Sequence, residues 1–264
     1  MRALTLLAIS SLCALACDDP KESKSAAAAS ASALMVSPAV TNVLAPAAMA
    51  APPSAPEVAA PKKKEWKCTE GATADFQGDG PLEKEVRLKL QKPKGDISVG
   101  ELRAIKSLNL TKYGPVDALN PCLMPKFTGL RDRFIGSGAL DDLGPSASLT
   151  QLVSLRATDN RISDLKPLSG MGHLDRLDVS RTQVRDLSPV KGMVELTELS
   201  IDNTAIDDIG AVSALTKLEK VSLVNTPVKD LSPLKGAKKL SALDISGTQL
   251  SDTSMLARGV RVKN

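Results

Sequence analysis

From residue 130 onward, apolar side chains return at a fixed step. Leu130, Leu152, Leu174, Leu196, Leu218 and Leu240 follow one another at intervals of 22 residues. Three further columns keep that step: Val179, Ile201, Leu223 and Ile245; Val184, Ile206, Val228 and Leu250; Leu187, Ile209 and Leu231. A polar column holds Thr182, Thr204, Thr226 and Thr248, with Asn160 at the matching earlier place. Within one unit, Leu177 and Val179 alternate with polar neighbours, which predicts a short strand with those two side chains turned inward. One such unit cannot bury its apolar edge alone. Units must therefore stack, sharing a core and a parallel sheet along one face.

The second half of the unit is equally regular. Asp164-Leu-Lys-Pro-Leu168, Asp186-Leu-Ser-Pro-Val190 and Asp230-Leu-Ser-Pro-Leu234 recur at one offset. Aspartate caps helical turns and proline fits their first position, so these segments predict short 3₁₀ turns on the convex side. Gly170, Gly192 and Gly236 are expected to permit the tight turn back towards the next strand.

The pattern resembles the bacterial leucine-rich repeats of the internalin type, which use 22-residue units with an IxDIxPL-like convex segment. The resemblance covers about residues 75–264. It implies an α/β solenoid: a right-handed coil with a parallel concave β-sheet, a 3₁₀ or irregular convex side and a small helical N-terminal cap. One departure is threonine where the family usually has asparagine. A threonine hydroxyl can bond neighbouring turns, so a threonine ladder is the expected substitute.

A solenoid end exposes apolar core and needs a cap. Leu82, Val86 and Leu90 fall on one face of a helix, and a second short helix after Ser98 carries Leu102 and Ile105. Leu108 and Leu110 mark the first strand. From Leu110 to Ile135 is 25 residues, three more than one period, so an insertion containing Pro121 and Cys122 lies between them. Gly259 to Val262 reads as a last, truncated strand.

The N-terminus has a different character. Met1-Arg2 precedes a short apolar run from Ala3 to Ala16, shorter than the roughly 20 residues a membrane span needs, as in a secretory signal peptide. The run ends Ala14-Leu15-Ala16-Cys17, which resembles the lipobox of bacterial lipoproteins, with Ala14 where leucine is usual. That resemblance implies diacylation of Cys17, which becomes the new N-terminus, and a lipid-anchored place in the bacterial cell envelope. The alternative is ordinary cleavage near Ala16 beside a bystander cysteine. Asp18 resembles the inner-membrane retention signal of enteric bacteria, a rule that differs between bacterial groups, so inner and outer membrane both stay open. Ala, Ser and Pro then dominate to residue 64, a composition that reads as a disordered linker; a flexible coil of this length spans roughly 35–40 Å. Lys62-Lys63-Lys64 ends it, either as a solvated linker end or as a contact for anionic lipid headgroups. The expected organisation is a signal peptide at 1–16, a linker at 17–64, a cap and irregular first repeat at 65–129, and regular repeats with a C-terminal cap at 130–264.

Of the four cysteines, Cys13 leaves with the signal peptide and Cys17 takes the lipid. Cys68 and Cys122 remain, and export favours a disulfide between them, against two free thiols or half of a metal site. A zinc site lacks ligands, because no CxxC occurs and His173 is the only histidine. Catalytic signatures are missing: neither GxxxxGK[ST] nor HExxH is present, and nothing pairs a particular serine with His173. The stacked column Asp142, Asp164, Asp186, Asp208, Asp230 and Asp252 could hold calcium, but calcium wants six to eight oxygens and a cation directly precedes two of these residues (Arg185, Lys229), so capping is the better reading. No enzyme activity, cofactor or metal is expected.

Binding is what such a scaffold offers. Outward strand positions carry charges of both signs and no basic stripe for nucleic acid, and the formal net charge is only +4. The aromatic residues are Trp66, Phe76, Tyr113, Phe127 and Phe134, so none follows residue 134. Hot spots of protein interfaces favour Trp, Tyr and Arg. The expected contact set is therefore Phe134, Arg156, Arg176, Asp178, Glu198 and Lys220, strongest towards the N-terminal half of the concave face; alternatively the aromatic residues only fill the cap. The resulting expectation is a monomeric, envelope-tethered, non-enzymatic module that binds a protein partner. The alternative is a structural or adhesive envelope protein without a discrete ligand.

Overall fold

The computed structural model describes residues 64–264. The signal peptide, Cys17 and the linker up to residue 63 lie outside the described residues. Eight three-residue strands form one parallel sheet in chain order: β1 (Ser107–Asn109), β2 (Asp132–Phe134), β3 (Ser154–Arg156), β4 (Arg176–Asp178), β5 (Glu198–Ser200), β6 (Lys220–Ser222), β7 (Ala242–Asp244) and β8 (Arg261–Lys263). From β2 to β7 each residue pairs with the one 22 positions on, as in Leu155 with Leu177 and Leu177 with Leu199. Leu108 pairs with Arg133, which places the three-residue insertion within the first coil. Leu243 pairs with Val262, so the last coil is three residues short.

Parallel strands bury one face only if the chain returns behind them. Here 3₁₀ turns make the return, at Met124–Lys126, Gly144–Ser146, Lys166–Leu168, Ser188–Gly192, Gly210–Ala214 and Ser232–Gly236. Between sheet and turns runs one continuous apolar core, from Phe76 and Leu82 to Leu243 and Ile245.

The aspartates of the convex segments sit one residue ahead of the helix-cap position. Asp164 accepts from the Lys166 N–H at 2.8 Å, Asp186 from Ser188 at 2.7 Å and Asp230 from Ser232 at 2.8 Å. Each is a side-chain turn that starts the 3₁₀ segment, while the residue directly before it is leucine. The threonine column is not a ladder. Thr182, Thr204 and Thr226 donate back to the carbonyls of Val179, Ile201 and Leu223 within their own coil, at 2.6–2.7 Å. A hydroxyl is too short to cross the spacing between coils. Asn160, one atom longer, does cross, donating to the Gly136 carbonyl at 3.1 Å. Nor are Gly170, Gly192 and Gly236 the left-handed positions. Those are Asp159, Arg181, Asn203, Asn225 and Gly247, with φ between 53° and 73°, each three residues past the end of a strand. Asn and Asp tolerate that geometry, which is why the column is mostly polar rather than glycine.

The cap is helical, as the periodicity predicts. Helix α1 (Gly80–Leu90) begins on Asp79, whose side chain accepts from the Leu82 N–H, and buries Leu82, Glu85 and Val86. Helix α2 (Val99–Ala104) carries a capping box between Ser98 and Glu101. Glu85 is buried for a reason: β1 is a sheet edge, and this carboxylate accepts from the Asn109 N–H at 3.0 Å and the Tyr113 hydroxyl at 2.9 Å. Its second role is to close an edge that would otherwise pair with another chain. Cys68 and Cys122 form a disulfide with Cα atoms 5.1 Å apart, joining the leading segment to the insertion.

Candidate functional site

The outward residues of the strands form two columns on the concave face. One reads Asp132, Ser154, Arg176, Glu198, Lys220 and Ala242; the other reads Phe134, Arg156, Asp178, Ser200, Ser222 and Asp244. All six residues expected to bind a partner thus share one surface. Parallel pairing puts each next to its equivalent one coil away, about 4.8 Å distant.

That spacing lets neighbouring charges pair. Arg156 Nε lies 3.1 Å from Asp178, Arg176 Nε 3.6 Å from Glu198, and Lys220 Nζ 2.7 Å from the same Glu198. Lys263 closes the series on Asp244 at 2.8 Å. The cationic heads stay open to solvent, with Arg156, Arg176 and Lys220 each near 60% exposed. Such exposed pairs contribute little to stability. Asp178 also accepts from the Ser180 N–H, and Asp202 holds the Ser222 hydroxyl at 2.6 Å, which stiffens the turn edge of the sheet.

Phe134 is half-buried in its column, between Asn109 and Arg156. Phe127 and Phe76 are buried and fill the cap. Of the aromatic residues, Phe134 is the one on the concave sheet. The sequence reading missed a second feature at the other end. Where the columns hold Ser200, Ser222 and Ala242, short side chains leave a hollow of about 380 Å³, rimmed by Glu198, Lys220, Asp244, Arg261 and Lys263. A run of small outward residues was its available signal.

His173 is exposed on the coil edge, in a depression with Arg131, Asp175 and Glu195. No serine or cysteine lines that depression. Lys217 pairs with Glu195, and that bond is the main cause holding the Glu195 carboxyl below its usual range. Each aspartate of the column accepts from its own turn, and these bonds depress the Asp186, Asp230 and Asp252 carboxyls through Ser188, Ser232 and Ser254. Among the described residues no group of three or more His, Cys, Asp or Glu side chains converges to hold a metal ion.

No family model matches the chain, and no curated protein does. Solved structures do. An internalin of Listeria monocytogenes superposes with a TM-score of 0.55 at 21% identity, covering 67% of this chain and 58% of its own. An internalin C2 of the same organism gives 0.56 at 22% identity, covering 69% and 90%. A leucine-rich-repeat protein of Leptospira interrogans gives 0.50 at 16%, covering 62% and 50%. The chain therefore spans little more than half of the first internalin. At these identities the likeness establishes the fold: an open parallel sheet with 3₁₀ returns, a leucine-rich-repeat solenoid.

Proposed function

We propose that this protein is a non-enzymatic interaction module, tethered to the bacterial cell envelope by lipid on Cys17, that binds a protein partner on its concave face. The observation that carries the reading is that face itself. It is a rigid sheet that presents one half-exposed aromatic ring, Phe134, beside exposed Arg156 and Arg176. Ring and guanidinium groups are the side chains from which interface hot spots are built. The concave charges already pair with one another, so a partner of alternating charge can take them over one at a time. The N-terminal sequence supports the tether, since Cys17 follows small residues at the end of an apolar leader. Among the described residues no helix is long and apolar enough to cross a membrane.

Two measurements test the two halves. Cells expressing the full chain are fed a fatty-acid analogue; label on the wild type and none on Cys17→Ala supports the tether, and label on neither removes it. A photo-crosslinking residue is then placed at Phe134 or, as a convex control, at Lys166. A partner band from position 134 alone supports the concave site. Equal bands from both positions would refute it.

A further inference from the structure

The two edges of the sheet are finished differently. On β1 the outward Asn109 N–H is taken by the Glu85 carboxylate of the cap. On β8 no described residue plays that part, and the sheet stops there. The ladder fixes which groups remain. Arg261 donates to the Ser241 carbonyl at 2.9 Å, and the Lys263 carbonyl accepts from the Ile245 N–H at 2.8 Å. Successive residues of a parallel strand turn their backbone groups to opposite sides. Arg261 and Lys263 therefore face β7, and the N–H and C=O of Val262 face away from it.

The apolar core is open at the same end. Val184, Ile206 and Val228 are 0% exposed, whereas Leu250, next in that column, is half-buried. Leu168, Val190, Val212 and Leu234 are buried, whereas Leu256 after them is half-buried. Val260 and Val262 are half-buried too. Each earlier coil is covered by the next, and among the described residues the last coil has no such cover. Beside this apolar strip stand cations. Arg261 and Lys263 line up with Ala242 and Asp244 on the concave side, and Arg258 lies on the turn before β8. Lys263 pairs with Asp244 and its side chain stays 75% exposed. Arg258 and Arg261 are exposed, with no ion pair among the described residues.

We propose that the outer edge of β8 is a docking strand for an extended acidic segment of a partner protein, one that alternates carboxylate and apolar side chains. Its backbone bonds the Val262 N–H and C=O, as in strand addition to an open sheet edge. Side chains alternate faces along a strand. Acidic residues at every second position thus meet Arg261 and Lys263 on the concave side, and the apolar residue between them covers Val262 and Leu256. A second copy of this chain fits less well. Antiparallel pairing about Val262 sets Arg261 against Lys263 of the copy, parallel pairing sets each cation against itself, and like charges directly opposite repel. Stacking on the β1 edge of a copy meets its helical cap. The docking strand lies at the far end of the sheet from Phe134, so it goes beyond the concave site proposed above and does not rest on it.

Fluorescence anisotropy with the full chain in detergent reads the binding of a short labelled peptide that alternates glutamate and valine. Arg261→Gln with Lys263→Gln should weaken binding about tenfold, as for the loss of two exposed ion pairs. Salt at about 0.5 M should weaken it in the wild type. Arg261→Glu with Lys263→Glu should move the preference to a peptide that alternates lysine and valine. Val262→Pro removes the outward N–H and spares the bonds to β7, the one setting in which an edge strand tolerates proline. It should lose peptide binding while keeping the circular dichroism of the wild type. A control on the peptide needs no variant of the protein: N-methylation of every second residue should block binding in one phase and not in the other. No binding of the acidic peptide, equal affinity for the acidic and basic peptides, or N-methyl phases that bind alike would overturn the proposal. So would a dimer in sedimentation that Val262→Pro dissociates, which assigns the edge to a second copy. A missing crosslink at position 134 would remove the concave site and leave these outcomes untouched.

Discussion

The coils from β3 to β7 and the region before them solve one problem in two ways. In the later coils every buried strand centre is leucine or valine: Leu155, Leu177, Leu199, Val221 and Leu243. Each coil is covered by a copy of itself, so one set of residue choices suffices. The region before β3 has no copy in front of it. It closes the edge with one-off devices: Glu85 on the β1 backbone, the Cys68–Cys122 bridge, the buried rings of Phe76 and Phe127, and Arg133 at a strand centre. Stacking supplies cover by repetition, whereas an end must be finished with individual contacts.

The sharpest way to break the regular half is at a strand centre. Leu199→Asp places an unpaired charge in the core and should cost about 3–5 kcal/mol, whereas Ser200→Asp, one residue on and facing out, should change stability by less than about 0.5 kcal/mol. Denaturant midpoints of the two variants check it, and equal midpoints would contradict the inward and outward assignment. The corresponding break in the irregular half is the disulfide. Its 54-residue separation closes a long loop, and Cys122→Ser should cost about 2–4 kcal/mol. Because a solenoid passes stability only between neighbouring coils, hydrogen exchange should quicken across residues 64–126 and stay nearly unchanged in β5 and β6. Uniform quickening would mean that the two halves fold as one unit.

That contrast also explains what could be read in advance. Leu177, Val179 and Val184 recur at a fixed step, and repetition turns weak local preferences into a firm assignment of sheet, core and outward columns. The outward columns located Phe134, Arg156 and Arg176 correctly on the concave face. Single events carry no such average. Nothing periodic marks Glu85 as the closure of an edge or Asp79 as the start of a helix beside a cleft. The threonine and glycine columns repeat, yet their bonds depend on sub-ångström reach and on φ, which residue type alone leaves open. The hollow at Ser200, Ser222 and Ala242 was legible only as smallness, a signal shared by any solvent-facing serine.

Arg133 sharpens the comparison, because it occupies in β2 the place that leucine or valine holds in the coils after it. The side chain is fully buried, with Nη1 on the Ser146 hydroxyl at 3.0 Å and no partner for Nε and Nη2. Burial drives its guanidinium down to about 10, against the opposing pull of Asp79. Burial likewise drives the Asp79 carboxyl up, and its bond to Leu82 and the charges of Lys64 and Arg133 do not fully offset this. Both groups of this separated pair thus lose more by desolvation than they regain by attraction. Replacing Arg133 with the leucine of its column should therefore raise stability by about 1–3 kcal/mol at neutral pH, read as a higher thermal midpoint. A lower midpoint would show that the cation holds the cap in place, and that the irregular half depends on charge where the regular half depends on packing.

The smallest expected effect separates the halves by pH. In the convex turns, bonds to Ser188 and Ser232 depress the Asp186 and Asp230 carboxyls below 3.8. A depressed carboxyl adds stability above its unfolded value, and that stability is lost as pH falls through the folded value. Asp79 has the opposite sign. Raised by burial, it favours its protonated form in the folded chain, so its ionic penalty fades as pH falls from above 4. Asp186→Asn with Asp230→Asn keeps the turn acceptors and should flatten the loss of stability below pH 4. Asp79→Asn should instead raise stability at pH 7 and leave that acid limb in place. Urea midpoints taken every half unit from pH 2.5 to 7 distinguish the two. If Asp79→Asn flattened the acid limb as the turn variants do, the cap carboxyl would be paired with Arg133 more strongly than burial separates them, and the Arg133→Leu variant should then lose stability rather than gain it.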